Sequence, residues 1–226
     1  MNKSDRLLAL AKKRKVTTYK GYTAIGDYNS GAYECDYVSP YSISAHNVDA
    51  DILIILQDWC SEENFKEEVR QETLKYGYTP SVKTNIKLKE LLLKHLNVTL
   101  EQTYATNLFP YIKPGPMNAS ISAKDLLKAA KDFTLPIIEI INPRIAICFG
   151  KATFDAIRKA CGLKAVKNIE EAIASHFTYQ STEIFCQAHT GQLGQNNRNR
   201  GGIERVSMDW QSMFPYFKKP YNNSLH

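Results

Sequence analysis

The chain has no apolar run approaching the ~20 residues that a membrane-spanning helix needs, although 43% of its 226 residues are apolar. Its opening, "MNKSDRLLALAKKRK", lacks a long apolar centre and a small-residue cleavage site, so it does not read as a secretory leader. The five cysteines, Cys35, Cys60, Cys148, Cys161 and Cys186, form no C-x-x-C pair. That spacing suits neither a disulfide framework nor a thiolate metal centre, and points to reduced thiols in an intracellular, cytoplasmic setting (nucleoid, or nucleus in a eukaryote). Repeats, low-complexity tracts and linker-like stretches are also missing. The expectation is therefore one domain over 1–226, with a core at about 48–216 and an N-terminal extension at 1–47.

What is present is a mildly basic chain with a formal net charge of +6. That charge is compatible with a nucleic-acid partner and does not demand one. "KKRK" (12–15) reads first as a solvated helix end. Four short apolar runs stand out: "DILIIL" (51–56), "TYATNLF" (103–109), "RIAICFG" (144–150) and "EIFCQAH" (183–189). Their length and their Ile, Phe and Tyr content suit buried parallel strands. Helical patterns lie at 5–15, 86–96, 122–141 and 151–162. The third opens on a Ser122/Asp125 capping signature and is broken by Pro136; the fourth stops at Gly162. Residues 20–47, rich in Tyr, Gly and Ser, read as irregular. Alternating strands and helices predict an α/β fold, a four-stranded parallel sheet sandwiched between helices.

In such sheets, ligands bind outside the carboxyl ends of the strands. The polar residues expected there are Asp58, Asn107 and His189, with Gly150 beside them. No second carboxylate follows the other strands, which disfavours a metal pair. No Ser or Cys occupies a nucleophile elbow, which disfavours a hydrolase triad. One carboxylate, one amide and one imidazole suit cleavage of an N-glycosidic bond: the carboxylate stabilises a sugar cation and aligns water, the imidazole stabilises the departing base anion, and the amide matches a pyrimidine edge. The stretch "HTGQLGQNNRNRGG" (189–202) reads as a loop. Arg198, Arg200 and Thr190 are its candidate phosphate contacts, and Leu193 is either a wedge for a base stack or a cap on the core.

These pieces resemble the uracil-DNA glycosylase superfamily. "LQDWC" (56–60) is similar to its first motif and "HTGQL" (189–193) to its second, while "TPSVKTNI" (79–86), "ATNLFP" (105–110) and "IAICFGKATFDAI" (145–157) match intervening units in order. The resemblance covers roughly 48–215. It implies that Asp58 aligns the attacking water, His189 steadies the uracil anion, Asn107 reads the base edge and Leu193 fills the vacated stack. It also implies that Gln57 helps to form the base pocket and that an aromatic, here Tyr78, stacks on the base. The implied protein is a monomeric, monofunctional enzyme acting on DNA to leave an abasic site, with no metal and no cofactor.

Two residues depart from the pattern. Trp59 stands where the common motif has proline, and Cys60 where a tyrosine walls off the uracil 5-position. The smaller Cys60 side chain predicts access for pyrimidines modified at C5, unless Trp59 swings in as a replacement wall. Two alternatives accompany this reading: a glycosylase-like fold that binds DNA or protein without turnover, and a hydrolase of free nucleosides.

Overall fold

Five strands form one sheet in a computed structural model that describes residues 1–66 and 68–218. They are β1 (Ile52–Asp58), β2 (Tyr104–Phe109), β3 (Ile145–Phe149), β4 (Phe177–Tyr179) and β5 (Thr182–Gln187), in the spatial order β2-β1-β3-β5-β4. The four expected strands are present and mutually parallel. The expected count of four needs correction, because β4 adds an antiparallel edge to β5. It is only three residues long and half exposed, so it carries no apolar run to reveal it. The last residues of the expected 1–226 unit, 219–226, lie outside the described residues.

The helices are α1 (Lys3–Val16), α2 (Gln71–Tyr76), α3 (Lys83–Leu96), α4 (Ala123–Ala129), α5 (Leu135–Ile141), α6 (Lys151–Ala160), α7 (Ile169–Ala174), α8 (Gln192–Arg198) and α9 (Arg205–Lys218). Successive side chains of a strand point to opposite faces. Accordingly Leu53 and Ile55 pack with α1, α4, α5, α6 and α7. Ile52, Ile54 and Leu56 pack with α3 and α9 on the other face. Both faces of β1 and β3 are covered, which is why these strands read as unbroken apolar runs. Among the described residues, no helix is long and apolar enough to cross a membrane.

The 122–141 helical pattern is interrupted beside Pro136, as expected. One π-helical turn, Ala130–Thr134, joins α4 to α5, and Pro136 falls in the first turn of α5, where its missing N–H is tolerated. The carbonyl four residues back, on Asp132, accepts instead from Lys13 Nζ at 3.1 Å.

The N-terminal segment is built into the core rather than appended to it. The Arg14 side chain is fully buried, and its guanidinium donates to both carboxylate oxygens of Glu34 (2.9 and 2.5 Å) and to the carbonyls of Cys35 and Tyr37. Burial pushes the Glu34 carboxyl up, but Arg14, the Cys35 N–H and Lys15 outweigh it and hold the group below its ordinary value. A carboxyl with a lower pKa when folded contributes stability above its unfolded pKa, about 4.3 for Glu, and loses it as pH falls through the folded value. Wild-type protein should therefore lose stability faster below about pH 4.3 than Glu34→Gln. Denaturation midpoints measured from pH 7 to 3 check this; parallel curves would refute it.

Candidate active site

Strand order reverses at β1, whose neighbours are β2 on one side and β3 on the other. Such a switch point opens a crevice beyond the carboxyl ends of the strands. Here it opens a cavity of about 830 Å³, within the range of small-molecule sites. Asp58, Asn107, Gly150 and His189 all line it, as do Gln57, Trp59, Cys60 and Tyr78. The residues expected at the strand ends are thus collected in one place.

Asp58 closes β1 with its side chain 8% exposed. Gln57 Nε2 donates to its Oδ1 at 3.1 Å. Lys113 Nζ lies 2.8 Å from its Oδ2. The approach angle of that contact does not meet hydrogen-bond geometry, so it is an ion pair of adjacent charges rather than an aligned bond. Lys113 has a side chain only 4% exposed, and its ammonium donates to the Met117 carbonyl at 2.5 Å. Its backbone is pinned on two sides: Ile112 bridges to Thr23, and Lys113 to Ser61, with the Glu62 N–H donating to the Lys113 carbonyl. Lysine is rarely buried without a partner. The run "KPGPMNA" (113–119) reads as a Pro/Gly crossover, so nothing local announces that its first residue faces Asp58.

Asn107 is buried, and its Oδ1 accepts from Ser39 Oγ at 2.5 Å. Ser39 in turn accepts from the Tyr41 N–H and so caps the 3₁₀ turn Pro40–Ile43. Holding the carbonyl oxygen this way leaves the amide NH₂ as the group presented to the cavity, a donor suited to an oxo group. Ser39, Tyr41 and Tyr33 all come from the segment read as an extension. Tyr41 and Tyr33 line the cavity directly.

His189 follows β5. Its Nδ1 accepts from the Gly191 N–H at 3.0 Å, which places the proton of the neutral ring on Nε2. Desolvation holds this imidazole below its ordinary pKa, while the Asp58 carboxylate pulls the other way. Gln195 Nε2 donates to the His189 carbonyl at 3.0 Å. A Cβ on Gly194 would come within 2.3 Å of that same carbonyl oxygen, so the tight turn around His189 requires glycine there.

Tyr78 is buried and stacked on Tyr41 (centroids 4.7 Å apart, 15° between planes), so at most one of its faces is open to a flat ligand. Its hydroxyl has no hydrogen-bond partner. Trp59 lines the cavity in a fixed position: its Nε1 donates to the Gly77 carbonyl at 2.8 Å, and its ring packs edge-on to Tyr33. Cys60 is half-buried in the cavity wall.

The 189–202 stretch is not the loop expected, because residues 192–198 form α8. Leu193 is 76% exposed on its first turn, which removes the core-cap reading. Arg198 is engaged by Asp209 in a bidentate pair at 2.6 and 2.8 Å, and Thr190 is buried. Of the candidate phosphate contacts, Arg200 is the one left exposed. Among the described residues, no three His, Cys, Asp or Glu side chains come together as a metal site. No protein-family model matches the chain, and no match was found among curated proteins.

Proposed function

We propose that this protein hydrolyses the N-glycosidic bond of uracil or a C5-modified pyrimidine in DNA, leaving an abasic site. The observation that carries the reading is the convergence of Asp58, Asn107 and His189 on one cavity at the switch point of the sheet. In this reading the flipped nucleotide enters with its base toward Asn107. The Asn107 NH₂ donates to an oxo group at C4, which disfavours the amino group of cytosine. His189 Nε2–H donates to the oxygen that gains negative charge as the base departs. Asp58 stabilises the positive sugar carbon and directs a water to it. Leu193, exposed on the first turn of α8 four residues after His189, fills the gap left in the stack. In this reading a C5 substituent faces the small Cys60 side chain on the cavity wall, while Trp59 is held by its bond to the Gly77 carbonyl.

Matched oligonucleotides carrying uracil, 5-hydroxymethyluracil, thymine or cytosine, incubated with the protein and then treated with alkali, test this. Strand breaks at uracil and 5-hydroxymethyluracil, and none at cytosine, are expected. A strict uracil preference would sink the open-wall proposal, and no product from any base would sink base excision. The second reading, a fold that binds DNA without turnover, draws on the Lys113 charge beside Asp58; it expects salt-dependent DNA binding and no abasic product.

A further inference from the structure

Lys113 has no part in the hydrolysis just described, yet it is a buried amine in the wall of the cavity, beside the carboxylate expected at the sugar carbon. Burying a lysine costs desolvation and side-chain entropy. A lysine kept against a carboxylate, in a cavity able to admit a sugar, is placed as a carbonyl nucleophile, because an amine adds to an aldehyde once a neighbouring base has taken its proton. Asp58 Oδ2, 2.8 Å from Nζ, is that base. The contact is not aligned as a hydrogen bond, and the ammonium is anchored instead on the Met117 carbonyl.

We infer that Lys113 forms an imine with the abasic sugar and that the protein cuts the DNA strand at abasic sites by β-elimination, a second activity that departs from the monofunctional enzyme the resemblance implies. The inference rests on the base-excision reading for the origin of its substrate, but the chemistry needs only the ring-opened sugar. Nζ gives a proton to Asp58, and its lone pair bonds to C1′ while the C=O pair moves to oxygen. A proton passes from nitrogen to that oxygen. Asp58 then returns its proton, the hydroxyl leaves as water, and an iminium remains. Removal of a C2′ proton by the Asp58 carboxylate gives the enamine. Its electron pair forms the C2′=C3′ bond as the C3′–O bond breaks, and the phosphate leaves with the bonding pair. Water hydrolyses the imine, regenerating Lys113 and releasing an unsaturated aldehyde end. No oxidant or reductant takes part.

The test incubates the full chain with an oligonucleotide carrying one preformed abasic site, in the presence of sodium cyanoborohydride, which reduces the imine to a stable amine. A covalent protein–DNA adduct is expected, mapping by peptide mass spectrometry to Lys113. Lys113→Gln and Lys113→Arg should both lose the adduct to background. Lys113→Arg keeps a cation beside Asp58, so a purely structural ion pair would survive in it; circular dichroism confirms that the variant is folded. Absence of an adduct from wild-type protein, an adduct on another lysine, or an adduct retained by Lys113→Arg would overturn the inference. Base release from uracil-containing DNA without any adduct would sink the imine and leave base excision standing. An adduct on Lys113 without base release would do the reverse.

Discussion

Asp58→Asn should lower base release from uracil-containing DNA by about a thousandfold, the upper end of the loss seen when one group aimed at a developing charge is removed. The structure adds a second effect that the carboxylate's position in the sequence does not suggest. The substitution leaves Lys113, 4% exposed, beside a neutral amide. Breaking an enclosed pair from one side costs ~3–5 kcal/mol, and a cavity open to water reduces that to roughly 1–3 kcal/mol. For a chain of this size each kcal/mol lowers Tm by about 2–4 °C, so a drop of several degrees is expected. The double variant Asp58→Asn/Lys113→Gln removes both charges and should regain most of the lost Tm while remaining inactive. Thermal unfolding of the wild type and the two variants, together with oligonucleotide cleavage, separates the two roles. A single variant that still releases base at the wild-type rate would remove Asp58 from the chemistry. A double variant no more stable than Asp58→Asn would show that the pair does not couple.

Gly77→Ala should be the most damaging single methyl group that can be added near the site. Gly77 caps α2 with φ at +76°, and a Cβ there would sit 1.7 Å from the Pro40 carbonyl oxygen and 2.6 Å from its carbon. Both obstructing atoms are backbone, so no side-chain rotation relieves the clash. Relief requires moving the 3₁₀ turn that carries Tyr41, together with the Tyr41 hydroxyl bond to Asn85, its stack on Tyr78 and the Ser39 bond to Asn107. Trp59 would also lose its acceptor on Gly77. A loss of more than about 3 kcal/mol is expected, well beyond the ~1–2 kcal/mol of a left-handed conformation alone. Gly162→Ala is the control: φ is +80° with nothing within 4 Å of the added Cβ, so only the conformational cost applies. Denaturant unfolding of the two variants, measured side by side, decides it. Equal losses would mean that the turn over Pro40 yields easily.

What the residue pattern determined by itself follows from local chemistry. Unbroken apolar runs separated by 3.6-period stretches imply a sheet covered on both faces, because only burial on both sides favours such runs. Parallel strands bring all their carboxyl ends to one edge, so Asp58, Asn107 and His189 are legible as neighbours in the sequence itself. The residue pattern does not show α2, α7, α8, α9 or the antiparallel β4. α8 carries a glycine-rich polar sequence that reads as loop, and β4 is too short to show a period.

Tertiary structure alone decided who stands beside whom across long loops. Lys113 meets Asp58 because Thr23 and Ser61, distant in sequence, pin the backbone on either side of it. Ser39 orients Asn107 across 68 residues of chain. Arg198, read as a phosphate ligand, is held by Asp209. Contacts of this kind leave no periodic trace in the chain, since loop closure depends on its end points and hardly on the composition between them. The strands carried the site's location, and the loops carried its electrostatics.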